Sequence, residues 1–364
     1  MGRHNSIGFI RLVAALLVIV GHSFPYGGYG SDPLIAATGN QLAIGRFPVD
    51  IFFALSGFLI AMSYANASSA AVFAWHRFLR IYPALIVCLL VTGLAVAPVF
   101  GDGPSLWYIV RNVTLIVPIS DSIPGLWVDG PGHGSVNSSL WTLPWEMRAY
   151  AIIFVLGVLG LLRKVWVVAA LFFLSWAVFA VQIFTHPGLE TGPAVTSGFR
   201  LITFFLAGTL FYLLRHRIRL RLGWFLASLA LMLAATVVGT VWAHYSAGVF
   251  YALSPIPLTY AVFWLATRLP FERVNADYDV SYGLYIYGTL TLNVYANMAL
   301  DLPWAPYLAL TVVSALCLAV ASWYLVEKPA LSLKDLRFGG GKIYRAERRA
   351  EPRVKVGVGS AADV

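Results

Sequence analysis

Arg11 and His22 stand eleven residues apart in the first apolar run, Ile7 to Phe24. Eleven residues make about three helical turns, so in a helix both lie on one face, about 16 Å apart along the axis. Ionisable groups inside hydrocarbon are costly, and each is a functional candidate from the outset. A cation near one end of the run and a proton acceptor near the other suit a site that joins two depths. The plain alternatives are an interfacial histidine bonded to a backbone carbonyl and an arginine that snorkels to the surface. In the next run, "RFPVDIFFALSGFLI", Arg46 and Asp50 are four residues apart on one helix face, a spacing that permits an ion pair. Asp50 falls at a depth similar to His22, where a carboxylate can fix the imidazole tautomer and strengthen it as a base. Ser56 and Gly57 further along are small residues that allow close helix packing, and Ser56 is not read as a nucleophile.

Glu146 and Arg148, in "SLWTLPWEMRAY", are placed at the outer mouth of a later run, beside Trp141 and Trp145. Tryptophans there form an interfacial belt, and they are also the side chains that stack on sugar faces. Arg77 and Arg80, in "WHRFLRIYPAL", make a basic pair at the inner surface. They serve either as topology charge or as a phosphate clamp. No Walker loop, dinucleotide glycine fingerprint or metal-binding histidine cluster occurs, which leaves no basis for an ATP-driven pump, a metalloenzyme or a permanently bound cofactor. Cys88 and Cys317 both sit inside apolar runs and read as small core residues.

The elements that carry these residues are set by composition. Of 364 residues, 59% are hydrophobic and only 11% charged, less than half the charge of an ordinary soluble domain. The apolar residues fall in runs of about twenty, long enough to cross a bilayer as helices. This excludes a soluble domain, a disordered chain and a coiled coil. The expectation is an all-α polytopic membrane protein with about ten spans, near 6–25, 43–64, 82–100, 146–162, 165–184, 198–214, 222–243, 249–267, 280–299 and 305–326. The first is read as a retained span, since Arg11 interrupts it and no small-residue cleavage site follows. With the N-terminus inside, the inner segments and tail hold twenty Lys and Arg. The outer loops and span mouths hold four, Arg46, Arg111, Arg148 and Arg200. That asymmetry puts both termini in the cytoplasm. The net charge of +9 is thus a topology signal and an attraction to anionic lipid, with no call for nucleic acid as a partner. One integral domain spans 1–337, followed by a basic tail, 338–364, expected to be disordered. In the long outer loop, 101–145, "SLWYIVRNVTLIVPI" is expected to be re-entrant or interfacial, and "DGPGHGSVNSS" mobile.

Taken together, these segments resemble the acyltransferase-3 family of integral-membrane O-acyltransferases. "IRLVAALLVIVGHSF" is similar to its first-span signature and "PVDIFFALSGFLI" to its second-span motif. "RFLRIYPAL", "SLWTLPWEMRAY", "VSYGLYIYG" and "SWYLVEKP" follow in the family's order, so the resemblance runs from about Ile7 to Lys334. Pro48 and Gly288 depart from it, standing where glycine and histidine are usual. The resemblance implies transfer of an acyl group, commonly acetyl, from cytoplasmic acyl-CoA to a hydroxyl of a sugar or glycan, extracytoplasmic or lipid-linked, at the cell's inner membrane. It implies His22 as general base, oriented by Asp50 or Glu146. It also implies Arg11, Arg77 and Arg80 on the CoA side, and Trp141, Trp145 and Arg148 toward the acceptor. The competing class is a proton-coupled exporter of a small molecule or lipid-linked sugar. An exporter would normally show paired repeats, which are not detectable here.

Overall fold

The computed structural model describes residues 5–185, 194–241, 248–275, 278–298, 300–339 and 342–345. The body is helical: α1 (Ile7–Tyr26), α2 (Pro33–Ala37), α3 (Phe47–Asn66), α4 (Ala70–Leu90), α5 (Ala97–Phe100), α6 (Leu106–Val113), α7 (Leu143–Val158) and α8 (Val165–Thr185). They are followed by α9 (Ala194–Leu213), α10 (Leu222–Val241), α11 (Gly248–Leu253), α12 (Pro255–Arg268), α13 (Ser281–Ala296), α14 (Trp304–Ser322) and α15 (Lys328–Leu331). Wide π-type turns, Val91–Val96 and Trp323–Glu327, join α4 to α5 and α14 to α15. Among the described residues, six helical stretches are long and apolar enough to cross a membrane: those beginning at Ile7, Phe47, Ala70, Val165, Leu222 and Trp304. The protein is a multi-pass membrane protein of helices.

The third helix starts twelve residues before the expected span, at Ala70, where the Ser69 hydroxyl caps it by accepting from the Val72 amide at 3.2 Å. Arg77 and Arg80, expected in a surface loop, are therefore helical residues facing the interior. A short antiparallel hairpin, β1 (Leu336–Gly339) with β2 (Lys342–Arg345), pairs Leu336 with Arg345 where the tail was expected to be disordered. The rest of that tail, 346–364, lies outside the described residues.

Three helices form the centre. Every residue of α13 from Ser281 to Asn293 is buried, whereas α10 turns most of its apolar surface outward, as a lipid-facing helix does. α3 packs most extensively on α9, and α1 lies between α13 and α3. The α3–α9 approach is backbone on backbone. A Cβ at Gly57 would fall 1.8 Å from the Phe205 carbonyl oxygen, and one at Gly208 1.8 Å from that of Ala54. Small residues permit such contact between membrane helices.

The outer loop is more ordered than its glycines suggest. α6 is a short helix with Leu106, Trp107 and Val110 exposed and Tyr108 and Asn112 buried, which is interfacial character. The stretch after it is tied to α13. Asn137 donates to the Ile286 carbonyl at 2.8 Å, and Thr289 donates to Asn137 Oδ1 at 2.6 Å. Ser135 bridges the Tyr26 hydroxyl and Asp121. These hydrogen bonds, absent from a composition count, link the stretch to α1, α13 and Asp121.

Candidate active site

His22 lies one turn before the end of α1. Its Nδ1 is 2.8 Å from the Val18 carbonyl oxygen, which can only accept, so Nδ1 carries the proton and Nε2 holds a free lone pair. The ring stacks near Tyr26, at 5.8 Å between centroids. The backbone at Gly45 presses on its other side, where a Cβ would fall 2.6 Å from Nδ1. Asp32 holds that backbone in place by accepting from the Gly45 and Leu34 amides at 3.3 and 2.9 Å. The interfacial-histidine geometry and a base-ready tautomer are thus the same arrangement.

His22 opens on a cavity of about 130 Å³, shared with Arg46, Arg200, Trp141, Ser138 and Tyr285. Asp50 is wholly buried behind this wall. It faces neither the imidazole nor Arg46: its Oδ1 lies 3.4 Å from Arg200 Nε, across the α3–α9 contact. The i, i+4 spacing to Arg46 is real, but Arg46 precedes the first turn of α3, and the helix turns Asp50 toward α9.

A second cavity, about 110 Å³, lies on the other side of Val49 and Tyr285, which border both. Arg11, Arg77, Arg80 and Glu146 line it. Glu146 was expected at the outer mouth. It sits deeper because the chain enters the helical body through the short 3-10 turn Ser138–Thr142 before α7 begins. Glu146 accepts from the Tyr150 hydroxyl. Arg11 and Arg80 both pair with Asp279, at 2.8 and 2.5 Å, and Arg80 also reaches Glu327 at 3.1 Å. Burial alone would raise the Asp279 carboxyl, but Arg11 and Arg80 hold it well below the usual carboxylate range. Among the described residues, Arg77 donates to the Ser63 hydroxyl at 3.3 Å, lies against the rings of Phe73 and Tyr150, and lines the cavity together with Glu146.

Of the three residues expected beside the acceptor, Trp141 alone is on the wall of the His22 cavity. Trp145 packs over Gly198, and Arg148 covers the Trp145 ring while donating to the Ile116 carbonyl at 3.0 Å. Those two fasten the interfacial segment to α7. Among the described residues, no group of three or more His, Cys, Asp or Glu is placed to hold a metal ion.

A family model described as an acyltransferase domain matches residues 4–324, which include both cavities and all the candidate residues named above. The chain belongs to the acyltransferase-3 family. This acyltransferase is 27% identical to an "O-acetyl transferase" of Shigella phage Sf6, over 91% of its own length and 97% of the relative's. It is 29% identical to "Nodulation protein 10" of Rhizobium leguminosarum bv. viciae, over 92% and 95%. It is also 28% identical to "Acyltransferase MdmB" of Streptomyces mycarofaciens, over 41% and 38%. No solved structure matches the chain.

Three contributors have no role in the sequence reading of this acyltransferase. Arg200 is only a charge at a span mouth there, Asp279 has no motif of its own, and Glu327 is part of "SWYLVEKP" without a role, whereas a backbone carbonyl as partner of His22 is among the sequence alternatives. One signal was available for Arg200: a carboxylate as deep as Asp50 needs a cation, and the mouth of the 198–214 span offers one.

Proposed function

We propose that the protein moves an acyl group, acetyl in the first instance, from cytoplasmic acyl-CoA to a hydroxyl of an extracytoplasmic or lipid-linked sugar. In this reading it is a ten-span protein of the inner cell membrane with both termini cytoplasmic. The observation that carries the reading is the shared wall of the two cavities, with arginines in one and a base-ready histidine in the other.

Arg77 offers its guanidinium to the CoA phosphates, with Arg11 and Arg80 as a fixed positive background. The pantetheine arm passes Tyr285 and brings the thioester to His22. The acceptor hydroxyl meets it there, against the face of Trp141, and His22 Nε2 takes its proton. The acetyl assignment draws on the name of the phage relative. Topology draws support from the company the residues keep. Arg11, Arg80, Asp279 and Glu327, all assigned to the inner side, share one cluster, and Arg46, Trp141 and Arg200, assigned to the outer side, share one cavity.

The test uses purified protein in detergent with radiolabelled acetyl-CoA, scoring hydrolysis and transfer to a surface-glycan extract. His22→Ala should lower turnover by about 10²- to 10⁴-fold, the usual worth of a general base, with an unchanged melting temperature and retained CoA binding. Turnover near wild type in a folded His22→Ala protein would remove His22 from the chemistry.

A further inference from the structure

Arg200 has more built around it than a topology charge requires. Its side chain is 5% exposed, and its Nε faces the wholly buried Asp50 at 3.4 Å. Its guanidinium carbon lies 4.6 Å over the Tyr251 ring. The Asp50 contact is an ion pair without a hydrogen bond, and with burial and the aromatic face below it confines the group. Among the described residues no hydrogen bond engages its terminal nitrogens, although Arg200 lines the His22 cavity and Asp50 does not. A buried ion pair is expensive to desolvate, and mere neutralisation of Asp50 would not require the cation to be on the cavity wall. Arg46, the other cation on that wall, is half-buried, and among the described residues no ion pair within hydrogen-bonding range and no ring contact braces it as Asp50 and Tyr251 brace Arg200.

We propose that Arg200 stabilises the oxyanion formed during acyl transfer, with Asp50 as the positioning residue that fixes its guanidinium. This rests on the acyl-transfer reading above. The acceptor oxygen bonds to the thioester carbonyl carbon while its proton passes to His22 Nε2. The carbonyl π pair moves onto oxygen, and that oxygen carries the new negative charge. When the charge returns to form the ester carbonyl, the carbon–sulfur bond breaks, and the CoA thiolate takes the proton from the imidazolium. The new charges in the intermediate are the imidazolium, whose Nδ1 proton goes to the Val18 carbonyl, and the oxyanion, which a fixed cation on the cavity wall meets with no reorganisation.

The test is steady-state release of CoA thiol from acetyl-CoA by wild type and by Arg200→Gln, Arg200→Lys and the double variant Arg200→Gln/Asp50→Asn, with melting temperatures. The double variant replaces the pair by neutral groups of similar shape and so removes the stranded charge of the single one. Arg200→Gln and the double variant should lose about 10²- to 10³-fold in kcat, as for loss of an oxyanion donor. The KM for acetyl-CoA should stay within about threefold, since an interaction made only in the transition state leaves ground-state binding alone. Arg200→Lys should fall between them and wild type. A folded double variant with kcat within about tenfold of wild type would overturn the proposal, as would a loss confined to KM, which would make Arg200 a substrate anchor. A wild-type protein that neither hydrolyses acetyl-CoA nor transfers from it would take down the acyl-transfer reading, and this proposal with it.

Discussion

Asp279 shows how much one side chain can hold together. Its Oδ2 accepts from Arg11 of α1 and Arg80 of α4, and its Oδ1 accepts from Asn275 Nδ2 at 3.1 Å. That same amide reaches the Gly8 carbonyl at 3.1 Å, so one carboxylate joins the starts of α1 and α13 to the middle of α4. Removing one partner of such a cluster strands charge and costs about 3 kcal/mol or more. Asp279→Asn should therefore lower the melting temperature at pH 7. The carboxyl is held below its unfolded pKa, so its contribution is complete above about pH 5 and is lost as pH falls toward the folded value. The gap in melting temperature between wild type and Asp279→Asn should thus begin to narrow on acidification from pH 5 toward pH 3. A gap that stays constant would mean that packing, and not charge, is what the residue supplies. At this scale the sequence is readable for cost but not for partners. The expense of charge in hydrocarbon singled out Arg11, His22 and Asp50, whereas Arg77 and Arg80 stood out as a basic pair at the inner surface. Nothing local to Asp50 says that its cation stands on α9 instead of four residues away at Arg46.

At the scale of elements, the small residues matter as much as the charged ones. Gly57 was legible as a packing residue within "LSGFLI", but its partner Gly208 was not, because a lone glycine in an apolar run has no signature. Gly208 lets α9 lie against the α3 backbone, and α3 and α9 carry Asp50 and Arg200. Gly208→Val should force the helices apart, since a Cβ there already falls 1.8 Å from the Ala54 carbonyl oxygen. Overpacking of this kind costs about 1–3 kcal/mol, and turnover should fall further than stability does because the ion pair is pulled open. Melting temperature and acetyl-CoA turnover, measured on the same preparation, check both halves. A variant as stable and as active as wild type would show that the close approach is dispensable. Gly288 is a related case. It departs from the usual family pattern, and a Cβ there would meet Ile19 at 2.6 Å, so glycine at this position lets α1 sit close to α13. The loop 129–138 was misjudged for the opposite reason, since its glycines speak of freedom while its bonds to α13 and Asp121 come from residues far along the chain.

At the scale of the whole molecule, the loop charges and the two cavities sort the same residues into two groups, and the charge bias alone proposes which group faces the cytoplasm. Twenty basic residues against four assign the inner side from loop composition alone. The ion cluster then collects the deep residues of that side, Arg11, Arg80, Asp279 and Glu327, and the His22 cavity collects those of the other. Ten runs were countable from hydropathy because lipid demands long apolar helices. Only six helical stretches among the described residues meet a strict length and apolarity criterion. Of the shorter ones, α13 is buried from Ser281 to Asn293, and burial relaxes the demand for an apolar surface. An odd number of crossings in error would reverse the assignment of every later loop, so labelling at two distant points tests the arrangement as a whole. In a Cys88→Ala/Cys317→Ser background, a cysteine replacing the exposed Asp129 should react with an impermeant thiol reagent in intact cells. A cysteine replacing the exposed Arg217, between α9 and α10, should react only after the cells are opened. Both orientations follow from one alternation, yet the two points are separated by α7, α8 and α9. Labelling of both in intact cells would mean a miscounted span between them, and the acyl donor and acceptor could then no longer be assigned to opposite sides. Reversed labelling would put the arginine cavity outside, where no acyl-CoA is available, and the proposed route from Arg77 past Tyr285 to His22 would fail with it.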